Sequence, residues 1–382
     1  MRYLLPLLAA WLFRKLSAGF PLSLYHPQPW PVSQPLVSVI IPCYNHWEFV
    51  DEAVQSILAQ TWQNVEIIIV DDASNQPEAA AMFKNYRPPK TRILHQPENQ
   101  GLSAARNAGM RQSRGKYICC LDADDKLQAT YIEKAVTALE VNAGIALFWP
   151  WTQVFGAEER VWYAPQFDPE KIIYYNQAHP PAVFRRAAFE KSGGFNEDMR
   201  EGFEDWEFWV RLTGHGYRGF RISEKLLFYR RLGRSFAQEA AQKHELLFAS
   251  IQANNPEIYR DPPGFVARVR AGYRDIYSLR PFLNLQDARH FLPLRPTLVI
   301  SDLDSARTRH FLSRYEAPEN LVWVARQPVD EDVLDQLYAA SPYIYILPNY
   351  LPTYVWTEFI HQVRRRWPIQ NILRLTKAQV QS

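Results

Sequence analysis

Short β-branched runs alternate with helix-period segments from residue 37 to residue 141, and most of the runs end in acidic or proline-containing loops. Val37-Ser-Val-Ile-Ile41, Val65-Glu-Ile-Ile-Ile-Val70, Thr91-Arg-Ile-Leu94 and Lys116-Tyr-Ile-Cys-Cys-Leu121 read as strands. Val50, Ala53, Val54, Ile57 and Leu58 share one helical face, as do Ile132, Val136 and Leu139, and further helices are expected near 77–86 and 102–113. Such alternation requires crossover connections, and hence an α/β fold with a mostly parallel sheet flanked by helices. Sheets of this kind bind ligands beyond the carboxyl ends of their strands, so the loops there form the expected nucleotide site.

The most informative of those loops is Leu121-Asp122-Ala123-Asp124-Asp125. Asp122 and Asp124 stand one residue apart where the chain leaves the sheet, so both can face one ion. Two hard carboxylates suit Mg²⁺ or Mn²⁺, which keep positions open for a diphosphate. Acidic residues after strands also cap helices, and Asp125 fits that role better.

The 382 residues allow a catalytic domain and a smaller one, and 47% hydrophobic with 22% charged residues fits a globular chain with a real core. Aromatic residues reach 14%, enough to supply platforms for sugar rings as well as core. A net charge of +3 is no nucleic-acid signature. The three cysteines, Cys43, Cys119 and Cys120, form neither a disulfide framework nor a zinc spacing, so a cytoplasmic, reducing setting fits.

Four segments follow from the change of character along the chain. Residues 1–35 hold an apolar stretch and a proline-rich linker; residues 36–235 carry the alternating pattern. Residues 236–296 read as a helical and irregular connector, and 297–382 as a small C-terminal α/β module. The stretch from Met1 to Phe13 is broken by Pro6 and is shorter than the ~20 apolar residues a bilayer span needs. It reads as an interfacial anchor, giving peripheral membrane contact, or as a segment packed on the protein surface. Arg364-Arg-Arg366 can touch anionic lipid or simply be solvated. Ser301-Asp-Leu-Asp304 mimics a phosphatase loop but reads as a helix cap.

Six motifs occur in one order: Val37-Ser-Val-Ile-Ile-Pro-Cys-Tyr-Asn45, Val70-Asp-Asp-Ala-Ser74, Asn99-Gln-Gly-Leu-Ser-Ala-Ala-Arg-Asn-Ala-Gly109, Leu121-Asp-Ala-Asp124, Gly193-Gly-Phe-Asn-Glu197 and Glu204-Asp-Trp206. Together they resemble the family 2 inverting glycosyltransferases of GT-A fold, over residues 36–235. The resemblance implies transfer of a sugar, with inversion, from a nucleotide-diphosphate sugar to a saccharide or lipid-linked acceptor in cell-surface polysaccharide or glycolipid assembly. It places Pro42 and Tyr44 against the nucleotide base and Asp72 on the base imide N–H, which favours a UDP- or dTDP-type donor. Asp124 matches the metal carboxylate, and Asp122 the ribose contact, a metal ligand or both. Arg106 is assigned to the donor phosphate, with an internal ion pair as its alternative. Asp205 matches the general base, expected to be ionised by its helix N-terminus. Glu204 and Trp206 are assigned to the acceptor.

The chain departs from the family at Tyr229-Arg-Arg-Leu-Gly-Arg-Ser235, where Leu232 stands at a usual metal-binding His. Arg230, Arg231 or Arg234 can reach the diphosphate instead. That departure keeps open a second reading, a non-catalytic GT-A module that binds a sugar or partner. A nucleotidyltransferase would need a glycine-rich basic loop, which Pro42-Cys-Tyr-Asn45 is not.

Overall fold

The structure, a computed structural model, describes residues 34–233, 236–273, 297–314, 321–367, 369 and 371–376. The apolar N-terminal stretch, residues 274–296 of the connector, and Arg234 lie outside the described residues, as do the side chains of Arg365 and Arg366. Among the described residues no helix is long and apolar enough to cross a membrane.

The first half of the main sheet alternates strand and helix: β1 (Val37–Cys43), α1 (Trp47–Leu58), β2 (Val65–Asp71), α2 (Pro77–Asn85), β3 (Thr91–His95), α3 (Leu102–Gln112) and β4 (Tyr117–Cys120). These strands pair in parallel in the order β3-β2-β1-β4. Helices cover both faces, so β1 and β2 are buried along their whole length and carry near-continuous Val and Ile. Small residues let α3 press on the sheet: Ala104 and Ala105 are buried, and a Cβ on Gly109 would lie 2.4 Å from Ile40 Cγ2.

The other half is mixed. It comprises β5 (Lys126–Leu127), α4 (Tyr131–Val141), β6 (Leu147–Gly156), β7 (Arg160–Trp162), β8 (Val183–Arg185), α5 (Arg186–Ser192), α6 (Glu204–Gly214) and β9 (Gly219–Arg231). The full order is β3-β2-β1-β4-β8-β6-β9-β5, with β7 against β6. β8 is antiparallel to both β4 and β6, while β9 is parallel to β6. β1, β4, β6 and β9 therefore run the same way and end at one edge. After α7 (Phe236–Gln242), helices α8 (His244–Asn254), α9 (Pro256–Tyr259) and α10 (Pro262–Gly272) share a core with α6 through Ile251, Ile258 and Phe265. The whole is a GT-A sheet.

A second, parallel sheet has the order β12-β11-β10-β13, built from β10 (Thr297–Ser301), β11 (Leu321–Ala325), β12 (Ile344–Ile346) and β13 (Asn371–Leu375). Helices α11 (Ser305–Arg314), α12 (Glu331–Ala340) and α13 (Trp356–Arg366) accompany it. Asp304 Oδ1 accepts from Arg307 N at 3.0 Å, so this acidic run does end in a helix cap.

Helix α4 joins the two units. Every residue of it except Glu140 is buried. Lys134 Nζ donates to Glu224 Oε2 on β9 at 2.6 Å and to the Tyr338 hydroxyl on α12 at 2.9 Å. Tyr338 and Asn349 both donate to the same Glu224 carboxylate. Lys134 and Glu224 are fully buried, and one apolar cluster continues from β1 through α4 to Tyr345, Phe359 and Trp367. Lys134→Met should cost ~3–5 kcal/mol, because it strands a buried carboxylate; adding Glu224→Leu should recover much of that loss. Urea midpoints of the two variants would check this, and an equal loss in both would refute it.

Candidate active site

Three loops of the carboxyl edge are tied to one another. Asn45 follows β1 with φ 60°, and Ala73 follows β2 with φ 56°, both left-handed. Asn45 N donates to Ser74 Oγ, and Asn75 N donates to Asn45 Oδ1, each at 3.1 Å. These bonds hold the Tyr44 loop beside the Asp71–Asp72 loop. Pro42 is buried at the end of β1, whereas Tyr44 leaves its ring 42% exposed over the edge. Asp71 closes its own turn by accepting from Ser74 N at 2.9 Å. Asp72 accepts from Gln100 N at 2.9 Å and Gly101 N at 2.8 Å. Each Asp72 oxygen keeps a second lone-pair direction, so the carboxylate that holds the loop can also accept from a base N–H.

After β4 come Asp122 and Asp124, whose side chains are 26% and 20% exposed. Asp125 lies behind them, buried, with Oδ1 accepting from Arg230 N at 2.9 Å. Arg230 Nε donates to the Asp124 carbonyl at 2.9 Å, and its guanidinium also pairs with Glu52 of α1. The end of β9 thus clamps the acidic turn. Arg231 pairs with Glu158 at 3.4 Å, and Leu232 is 54% exposed. Burial, and then the charge of Asp122, push the Asp124 carboxyl up from its usual range. Two crowded carboxylates open to solvent are a donor set that a hard divalent cation fits. Among the described residues no group of three or more His, Cys, Asp or Glu surrounds such an ion.

Arg106 departs from the phosphate contact expected for it. Its side chain is 1% exposed, with Nη2 donating to Asp122 Oδ1 at 2.8 Å and Nη1 to Glu204 Oε1 at 2.6 Å. The alternative, an internal ion pair, describes it. Glu204 is 5% exposed and spends one oxygen on that pair, so its position fits a support for the start of α6 better than an acceptor contact. Trp206 also departs from its acceptor role: its indole N–H donates to Ile172 O at 2.6 Å, and its ring stacks on Phe248 in the core.

Asp205 lies in the first turn of α6, after Phe203 at φ 61°. Its Oδ2 accepts from Asn176 Nδ2 at 2.7 Å, and its Oδ1 accepts from Trp206 N. The helix N-terminus was expected to keep it ionised. Burial and the neighbouring Glu204 charge outweigh the Asn176 bond, Arg106 and the helix amide, and push the carboxyl up to about 7.

Sequence reasoning passed over three neighbours. Asn176 sits in an irregular stretch with no periodicity to mark it. His179 stacks on Trp162 with ring centroids 4.0 Å apart, and burial pushes it down to about 4, so it is neutral near pH 7. His46, with Nδ1 3.8 Å from Asp124 Oδ2, directly follows the Pro42–Asn45 motif, a position that could have drawn attention to it.

Comparison with known proteins bears on the family of the chain. Residues 38–193 match the profile described as glycosyl transferase family 2. An uncharacterised glycosyltransferase of Methanocaldococcus jannaschii is 32% identical over 211 residues, covering 52% of this chain and 72% of that protein. An uncharacterised glycosyltransferase of Haemophilus influenzae is 27% identical over 252 residues, covering 62% and 77%. Among solved structures, S. aureus TarS 1–349 in complex with UDP-GlcNAc overlaps with a TM-score of 0.46 at 20% identity, covering 53% of this chain and 60% of that one. A Pyrobaculum calidifontis mannosyltransferase in complex with GDP-Man and Mn²⁺ gives 0.43 at 20%, covering 70% and 81%. On the sequence matches, the chain belongs to glycosyl transferase family 2.

Proposed function

We propose that residues 36–235 transfer a sugar, with inversion, from a nucleoside-diphosphate sugar to a hydroxyl of a saccharide or lipid-linked acceptor. The observation that supports this is a carboxyl pushed up to about 7, Asp205, next to Glu204, which Arg106 joins to the acidic turn at Asp122. The acceptor oxygen attacks the anomeric carbon from the Asp205 side and gives its proton to that carboxylate. The bond from the anomeric carbon to the diphosphate oxygen breaks in line, and its electron pair leaves with the nucleoside diphosphate. Asp124 and Asp122 would hold Mn²⁺ or Mg²⁺, which supplies positive charge to the departing diphosphate. Asp72 supports a uracil or thymine base, with Tyr44 and Pro42 as its wall. The setting we favour is cell-surface polysaccharide or glycolipid assembly on the cytoplasmic side, and a 187-residue similarity to Escherichia coli chondroitin synthase supports it.

The exposed Leu232 favours a second reading, a GT-A module that binds a sugar without transferring it. A donor panel with Mn²⁺, Mg²⁺ or EDTA separates the two. Metal-dependent turnover of one donor is expected, with chelation and Asp124→Asn each lowering it by at least about tenfold through lost metal affinity. Donor binding that never leads to turnover or transfer, even across an acceptor screen, would favour the second reading.

A further inference from the structure

One short stretch of chain, Asn176-Gln177-Ala178-His179, runs from Asp205 towards the acidic turn. At one end Asn176 Nδ2 donates to Asp205 Oδ2 at 2.7 Å. At the other end the His179 ring lies 5.6 Å from the Tyr229 ring, centroid to centroid, and the residue after Tyr229 gives its N–H to Asp125. The backbone from Asn176 to His179 spans at most ~11 Å. The two residues between them are buried and pinned. Gln177 donates to Asp168 O and accepts from Asp168 N, and Ala178 O accepts from the Trp209 indole at 3.0 Å. Asn176 and His179 are half-buried, so the stretch keeps its first and last side chains within reach of solvent.

Neighbours fix the chemistry of His179. One face of the imidazole stacks on Trp162, 10° from parallel. Its Nδ1 lies 3.3 Å from Thr152 Oγ1, on a residue of β6 that is wholly buried. A buried hydroxyl needs an acceptor for its proton, and the Nδ1 of a neutral imidazole is one. The ring proton then sits on Nε2, which becomes a donor. After burial, which dominates, the charge of Asp122 acts on the His179 ring, and those of Asp125 and Asp122 act on Tyr229. The ring is therefore a rigid donor close to the carboxylates. Being uncharged, it does not compete with a divalent cation for them.

We propose that His179 Nε2 donates a hydrogen bond to an oxygen of the transferred sugar and so selects the donor hexose. The proposal rests on the glycosyl-transfer reading above. In that reaction the sugar must lie between the group that takes the acceptor proton and the group that holds the diphosphate, and the Asn176–His179 stretch borders that gap. Epimeric hexoses differ only in the direction of a hydroxyl, so one fixed donor discriminates between them.

Calorimetric titration of the full chain with Mn²⁺ tests this. The probes are UDP-glucose, UDP-galactose, UDP-N-acetylglucosamine, dTDP-glucose and GDP-mannose, each beside its bare nucleoside diphosphate. His179→Phe keeps an aromatic ring against Trp162 and removes the donor. It should weaken the preferred nucleotide sugar by roughly tenfold, the worth of one hydrogen bond, and leave the bare diphosphate unchanged. His179→Gln restores an N–H and should recover most of the loss. In transfer assays His179→Phe should also narrow the preference between glucose and galactose donors. Thr152→Val keeps the shape of the core, frees the tautomer and should weaken the same nucleotide sugar by a smaller factor. If His179→Phe unfolds, an unchanged affinity in Thr152→Val would overturn the proposal. Equal loss for nucleotide sugar and bare diphosphate would reduce His179 to a structural residue. A raised acceptor KM with donor affinity intact would move it to the acceptor side, and either result overturns the proposal. A wild type that transfers sugar, matched by His179→Phe in donor affinity and preference, sinks the proposal alone. A wild type that binds no member of the panel sinks the glycosyl-transfer reading and this subsite with it.

Discussion

Asp205→Asn is expected to cut sugar transfer by roughly 10²–10⁴-fold, the usual worth of a general base, with donor affinity intact. The substitution keeps the shape of the side chain and removes its ability to take a proton. Wild-type kcat/KM should rise with pH along an acid limb centred near 7, where Asp205 ionises. The same group gives a stability signature of opposite sense. Its folded pKa lies above the usual 3.8, so the folded chain holds the proton more tightly than the unfolded one. The wild type therefore loses stability as pH rises from about 4 towards 7. Asp205→Asn escapes that loss, and its advantage in melting temperature should be largest at pH 8 and shrink towards pH 4. A variant that keeps transferring sugar, or an advantage that grows in acid, would remove Asp205 from the base position.

Arg106→Met should be the most damaging single change near the site. It leaves Asp122 Oδ1 and Glu204 Oε1 facing each other's charge without the guanidinium between them, a loss of ~3–5 kcal/mol for a buried pair. It also withdraws the cation that holds the Asp205 pKa down, so any residual activity should have its acid limb shifted to higher pH. Arg106→Lys keeps the charge but cannot span both carboxylates in one plane, and should recover stability better than rate. Chemical denaturation and pH–rate profiles of the two variants decide this. An unshifted limb in both would reduce Arg106 to a structural residue.

The parallel half of the sheet was legible because burial on both faces demands near-continuous apolar runs, and β1, β2 and β4 have them. The helix over 102–113 announced itself through small residues, and Gly109 shows why: nothing larger fits over Ile40. The mixed half was not legible. β9 runs from Gly219 to Arg231 because its partner β6 supplies the pairing that local pattern cannot show. Proline is disfavoured inside a sheet, and β6 accommodates Pro150 where its register with β9 shifts. Within the site, residue type and order pointed to Asp122, Asp124 and Asp205. They could not show that Trp206 faces inward, nor that Arg106 pairs with residues 16 and 98 positions away. The pKa of Asp205 depends on its burial and on the nearby Glu204 charge, and no spacing rule encodes burial.

Strand β9 carries Glu224 into the junction with the second sheet and, six residues later, Arg230 onto the backbone of the acidic turn. A substitution at Tyr338 or Asn349 is therefore expected to be felt at the acidic turn without altering any of its carboxylates. If that turn works as proposed, its fine positioning is a property of two sheets rather than of one loop.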